Sequence, residues 1–97
     1  MKAGYVYIIT NKNNTTLYVG VTSNLPERMV EHVEKRHPDS FSARYSLNKL
    51  VYYEQFELMV DAIEREKQLK AGSRAKKTAL INGFNPEWND LVEGLLG

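Results

Sequence analysis

The sequence predicts a single α/β domain of the α+β kind, and three observations predict it. The chain is 97 residues long, at or just below the usual size of one domain, so residues 1–97 are expected to share one core. Three short apolar runs rich in β-branched and aromatic residues are interleaved with three stretches of helical periodicity. Hydrophobic residues make up 42% of the chain and charged residues 26%, the ordinary globular range, which excludes wholesale disorder.

Val6 to Ile9 is the first strand-like run, stopped by the polar Asn11-Lys12-Asn13-Asn14; Thr16 to Val21 is the second, and the turn between them suits an antiparallel hairpin. Asn24 can cap a helix that tolerates Pro26 in its first turn and places Glu27 three residues after the cap. That helix is expected to run to about Arg36. At about 100° per residue, Leu25, Met29 and Val33 share its buried arc, while Arg28 and His32 stack as an i, i+4 pair on one border. Residues 37 to 48 show no sustained period and read as a loop.

Lys49 to Phe56, with Leu50, Val51, Tyr52 and Tyr53, is the third strand. From about Asp61 a second helix carries Ala62, Ile63 and Leu69. Gly72 ends it, and Ser73 caps another through Ala79, Leu80 and Ile81, which Gly83 is expected to break. Asn85 to Asn89 reads as a turn, and Leu91 to Leu96 as a final helical turn.

Several function classes fall away on composition. The chain has no cysteine, which removes disulfides, thiol catalysis and Cys-ligated metal centres. It has neither a long apolar span nor a secretory leader pattern, so a cytoplasmic protein is expected. The net charge is only +1, but it is unevenly spread. Between residues 65 and 77, Arg65, Lys67, Lys70, Arg74, Lys76 and Lys77 stand against the single acid Glu66. Such a block fits a solvated helix face or a phosphate-binding one.

Two polar positions are out of place. Glu66 falls in the middle of its helix's apolar arc, and burying a lone carboxylate is costly. Either it pairs internally with an Arg or Tyr, or it lines a cleft and holds a divalent cation such as Mg²⁺. Arg28 is either a solvated border residue or, facing a cleft, a planar fork that grips a phosphate. His32, one turn on, can exchange a proton with the same group near neutral pH.

In order, Val6-Tyr7, Tyr18-Val19-Gly20, Arg28, His32, Glu66 and Asn89 resemble the GIY-YIG nuclease superfamily, specifically its small stand-alone bacterial branch. The resemblance spans Gly4 to Leu91. It implies a three-stranded antiparallel sheet flanked by helices, and an endonuclease that cuts DNA with Mg²⁺ or Mn²⁺, serving repair or processing. It also implies site roles: Tyr7 and Tyr18 side by side on the hairpin, Arg28 on the scissile phosphate, Glu66 on the metal, and Asn89 helping to hold the site together. His32 takes a position that is Tyr or His in relatives.

Hydrolysis of a phosphodiester needs an activated water, neutralised transition-state charge and help for the departing alkoxide. Tyr7 is the implied general base, with His32, and its phenol must then be shifted down from about 10 by Arg28, the cation or both. Lys67, Lys70, Arg74, Lys76 and Lys77 are candidates to hold flanking phosphates. Two positions depart from the pattern: Tyr5 replaces the glycine of the first motif, and Val21 stands where some relatives carry a Lys. Many relatives join this module to separate DNA-binding domains; here affinity is expected from loops such as Phe41 to Tyr45, from self-association or from a partner protein. Two rival classes remain, a nucleic-acid-binding module that keeps the cleft without turnover and a protein-interaction domain.

Overall fold

The computed structural model describes residues 2–96. β1 (Gly4–Thr10) and β2 (Leu17–Thr22) form the hairpin, followed by α1 (Leu25–Glu34), α2 (Phe41–Arg44), β3 (Lys49–Phe56), α3 (Met59–Ala71), α4 (Arg74–Phe84) and α5 (Val92–Leu96). The strands make one antiparallel sheet in the order β2-β1-β3. Asn11 closes the hairpin: its Oδ1 accepts the backbone N–H groups of Thr15 at 2.8 Å and Thr16 at 3.1 Å, so β2 starts at Leu17.

Central β1 is buried on both faces, which is why it reads as a continuous apolar run. Its alternate side chains serve two cores. Val6 and Ile8 join Val19, Ala62, Leu69 and Ile81 under α3 and α4. Tyr7 and Ile9 join Leu25, Met29, Leu47 and Leu50 on the α1 side, which α5 helps to close. The C-terminal segment is tied to the sheet: Asp90 accepts the Leu50 N–H at 3.2 Å and the Leu91 N–H donates to the Leu50 carbonyl at 2.8 Å. Among the described residues no helix is long and apolar enough to cross a membrane.

Four elements differ from the sequence expectation. The stretch read as loop contains α2, capped by Ser40, whose hydroxyl accepts the Ala43 N–H at 3.2 Å; four residues are too few to display a period. α1 stops at Glu34, with Lys35 in the left-handed region, and Val33 in its last turn is exposed rather than buried, because only the first two turns lie against the core. α3 starts two residues before Asp61 with no side-chain cap; instead the Met59 N–H donates to the Lys2 carbonyl at 2.9 Å. Finally, α4 runs through Gly83 and ends at Asn85, where the following Pro86 disfavours helical backbone.

Candidate active site

On the α1 side of the sheet a cleft of ≈ 290 Å³ opens between the hairpin, α1 and α2. Tyr7, Tyr18, Arg28 and His32 all line it, with Glu31, Lys35, His37 and Ser42. The hairpin register places Tyr7 opposite Gly20 and Tyr18 opposite Ile9, so the two phenols share a face as diagonal neighbours rather than side by side. Arg28 and His32 reach them because i, i+4 residues project from one side of α1.

Tyr7 is fully buried. Its ring lies across Gly20, where an added Cβ would run into the Tyr7 ring and hydroxyl. Gly20 is therefore required for space, not for its backbone angles. Gly20→Ala is expected to cost about 1–3 kcal/mol through overpacking. The check is a urea midpoint set beside Gly83→Ala, which meets nothing within 4 Å and should gain about 0.5–1 kcal/mol in helical backbone.

The Tyr7 hydroxyl lies 2.9 Å from Nε2 of His32 and accepts a long hydrogen bond from Nη1 of Arg28 at 3.5 Å. On the far side of the imidazole, Nδ1 is 3.0 Å from the Ser42 hydroxyl. Arg28 also donates to the Val21 carbonyl at 3.4 Å and pairs with Glu31 at 3.3 Å. Burial, and after it the Arg28 charge, holds the His32 imidazole below its ordinary value, so it is neutral at pH 7. Burial pushes the Tyr7 phenol up to about 12, outweighing the pull of Arg28. That corrects the expected downward shift: Arg28 acts in the required direction, but desolvation of the phenolate is larger.

Beside the cleft an aromatic step continues from Tyr18. Phe41 stacks on Tyr18 at 6.1 Å between ring centres, and Tyr45 lies against Phe41 at 4.7 Å. The ammonium of Lys70 sits 5.6 Å over the Tyr18 ring.

Glu66 is not in the cleft lining. It projects from α3, on the opposite face of the sheet, and its carboxylate pairs with Lys70 at 3.3 Å. The connection to the cleft therefore runs through Lys70, which bridges Glu66 and Tyr18. Among the described residues no three His, Cys, Asp or Glu side chains gather into a metal-binding group. Glu66 offers one carboxylate to a hard cation, which would take the place that the Lys70 ammonium holds. It is a mostly buried carboxylate already facing one positive charge, carried by the half-exposed Lys70, and Mg²⁺ commonly takes one or two carboxylates with water and phosphate completing its shell.

The basic block is not one phosphate-facing surface. Arg65 is held by Glu54 at 3.1 Å, and Glu54 also accepts the Tyr52 hydroxyl. Arg74 donates to the carbonyls of Asn14 and Thr15, both at 2.9 Å, pinning the hairpin turn, and Lys77 donates to the Gly72 carbonyl at 2.8 Å. Lys67 and Lys76 are exposed. Asn89 does not reach the cleft either. It is exposed, with Nδ2 on Glu87 at 3.3 Å, while the buried asparagine is Asn85, whose Nδ2 donates to the carbonyls of Val51 at 3.2 Å and Asn89 at 2.8 Å. Asn85 thus ties the turn to β3. Its place before a proline at a helix end was the available signal for it; Ser42 gave none.

Comparison with known proteins bears on the family and the fold. The pattern of the GIY-YIG catalytic domain matches residues 3–79. A UPF0213 protein of Syntrophus aciditrophicus is 36% identical over 87 residues, covering 90% of this chain and 98% of the relative. The UPF0213 protein CPE1444 of Clostridium perfringens is 38% identical over 82 residues, covering 80% and 82%. The solution structure of the UPF0213 protein BH0048 from Bacillus halodurans superposes with a TM-score of 0.57 over 94% of this chain and 95% of that one, at 24% identity, which supports the fold. With the catalytic-domain match running from β1 into α4 and relatives aligned over most of both chains, this chain belongs to the GIY-YIG family.

Proposed function

We propose that the protein is a divalent-metal-dependent endonuclease that hydrolyses phosphodiester bonds in DNA, in a repair or processing context, and that the scissile phosphate sits in the Tyr7–Arg28 cleft. One contact carries this reading: a phenol at the buried end of an open cleft, 2.9 Å from a neutral imidazole nitrogen and 3.5 Å from a guanidinium. Arg28 is partly exposed and can turn from Glu31 to give two parallel hydrogen bonds to phosphate oxygens.

With the Tyr7 phenol near 12, only about one molecule in 10⁵ carries the phenolate at pH 7, so a standing phenolate is a poor base. The neutral His32 makes a better final acceptor. As the water oxygen bonds to phosphorus, its proton passes to the Tyr7 oxygen while the Tyr7 proton passes to Nε2 of His32. The bond from phosphorus to one ester oxygen breaks, and the departing alkoxide takes a proton from solvent. His32 then returns its proton to solvent, leaving a phosphate monoester and a hydroxyl. A Mg²⁺ or Mn²⁺ ion would be held by Glu66, whose link to the cleft edge is Lys70 over Tyr18, and would supply positive charge that offsets the charge of the phosphate. Phe41 and Tyr45 offer ring faces on which nucleobases beside the cut can stack, and Lys67 and Lys76 can attract the flanking backbone.

A second reading, a nucleic-acid-binding module without turnover, draws support from one observation: Glu66 lies outside the cleft with Lys70 already on its carboxylate. The two separate in a metal titration over branched, nicked and single-stranded DNA alongside RNA. The endonuclease reading expects Mg²⁺- or Mn²⁺-dependent products that Glu66→Ala reduces by at least 10²-fold with the fold intact. Salt-sensitive binding without product under any metal would leave the binding module, and full cutting by Glu66→Ala would remove Glu66 from the account.

A further inference from the structure

The geometry points to Ser42 as the positioning residue that decides which nitrogen of His32 is free to take the proton. The inference rests on reading His32 as proton acceptor, but it concerns a tautomer that exists in the resting protein. His32 touches two hydroxyls, Tyr7 through Nε2 and Ser42 through Nδ1. A neutral imidazole carries one N–H, so one hydroxyl must donate to it and the other must accept.

The surroundings choose the polarity. Tyr7 already accepts from Arg28 at 3.5 Å, so its own O–H needs an acceptor, and Nε2 is the one within reach. If Nε2 carried the proton instead, the Tyr7 O–H would have no acceptor among the described residues and only solvent in the cleft to donate to. With Nδ1 protonated every group is satisfied. Nδ1–H donates to Ser42, and the Ser42 hydroxyl can pass its own hydrogen to Ser40, 3.2 Å away, which already accepts the Ala43 N–H. Ser42 is itself buried and sits on a helix fastened by that Ser40 cap.

The consequence for catalysis is directional. Nε2, the nitrogen facing the cleft, keeps its lone pair ready, and when it takes the proton the new imidazolium still has both N–H groups paired, one on Tyr7 and one on Ser42. The charged and titratable groups facing His32 are Tyr7 and Tyr18 from the hairpin, Arg28 and Glu31 from α1, and His37 from the following turn. Ser42 is the neutral member on the α2 side. Because a hydrogen bond from an imidazolium is stronger than one from a neutral imidazole, removing the Ser42 oxygen lowers the His32 pKa further.

The first test needs no substrate. Histidine ¹⁵N shifts and two-bond ¹⁵N–¹H couplings in the metal-free wild-type protein at pH 7.5 should show His32 protonated on Nδ1 and bare on Nε2. Ser42→Ala should mix or reverse that preference, and Ser42→Thr, which keeps the hydroxyl, should retain it. In cleavage assays Ser42→Ala should lower kcat by about tenfold and move the acid limb of kcat/KM to lower pH, with Ser42→Thr restoring both. A role limited to packing would lower the rate without moving the limb or the tautomer. Nε2 protonation in the wild type, or an unchanged tautomer in Ser42→Ala, overturns the inference. If the tautomer behaves as stated but no form of the protein cuts nucleic acid, the endonuclease reading has failed and the placement of Ser42 stands.

Discussion

Tyr7→Phe is expected to lower kcat by about 10²–10⁴-fold, the range for loss of a positioned proton-transfer group. The substitution removes one oxygen from the buried end of the cleft and leaves the ring in its place over Gly20. KM should change little, because in the proposed site Arg28 and the cation, rather than the phenol, grip the phosphate. Folding should survive with a modest penalty. The unpaired His32 Nε2 costs about 1–3 kcal/mol, readable as a lowered urea midpoint with an unchanged far-UV spectrum. Tyr5→Phe is the matching control, since Tyr5 lies on the same strand outside the cleft lining. A Tyr7→Phe enzyme that keeps the wild-type kcat would show that water is activated without the phenol.

Arg28→Ala is the second large loss. Its guanidinium is the only cationic group among the described residues within hydrogen-bonding distance of the Tyr7 hydroxyl, and in the proposed reaction it meets the charge that grows on the phosphate in the transition state. Removing such a preorganised donor lowers kcat by about 10²–10³-fold. Arg28→Lys should recover only part of the loss, because an ammonium cannot reproduce the planar two-bond grip. Stability should hardly change, since the Arg28–Glu31 pair is partly exposed and such pairs contribute at most about 1 kcal/mol. Single-turnover cleavage with saturating enzyme separates this loss from weaker binding; equal single-turnover rates for Arg28→Ala and the wild type would take Arg28 out of the chemistry.

Which parts of this site were legible in the sequence follows from the range over which each signal acts. The strands were written in short apolar runs, and the Arg28–His32 pairing follows from their spacing of four along a helix. That Tyr7 and Tyr18 share a face was implied by the resemblance, and the hairpin register makes them diagonal neighbours. What the chain does not print is the partner found only after folding. Ser42 meets His32 from a four-residue helix too short to show a period. Arg74 and Lys77 count as surface charge in any local tally, yet each is taken by backbone carbonyls, two of them about sixty residues away. Of the two asparagines around Pro86, the resemblance pointed to Asn89, but the side chain that turns inward is Asn85. The direction of the Tyr7 shift was likewise invisible, since it depends on how deeply the phenol is buried. Glu66 sits where the helical arc placed it, and the residue facing it, Lys70, is simply the next turn.

The central claim is that the attacking water's proton ends on His32 by way of Tyr7, and the dependence of kcat/KM on pH for Mg²⁺-supported cutting of a labelled DNA tests it most directly. Because His32 must be neutral and its pKa is held below the ordinary value, activity should rise through an acid limb below about pH 6.5 and then level off through pH 9. A rate that climbs tenfold per pH unit from pH 7 to 10, as a standing base with the Tyr7 phenol near 12 would require, contradicts the account, as does the absence of cutting at every pH.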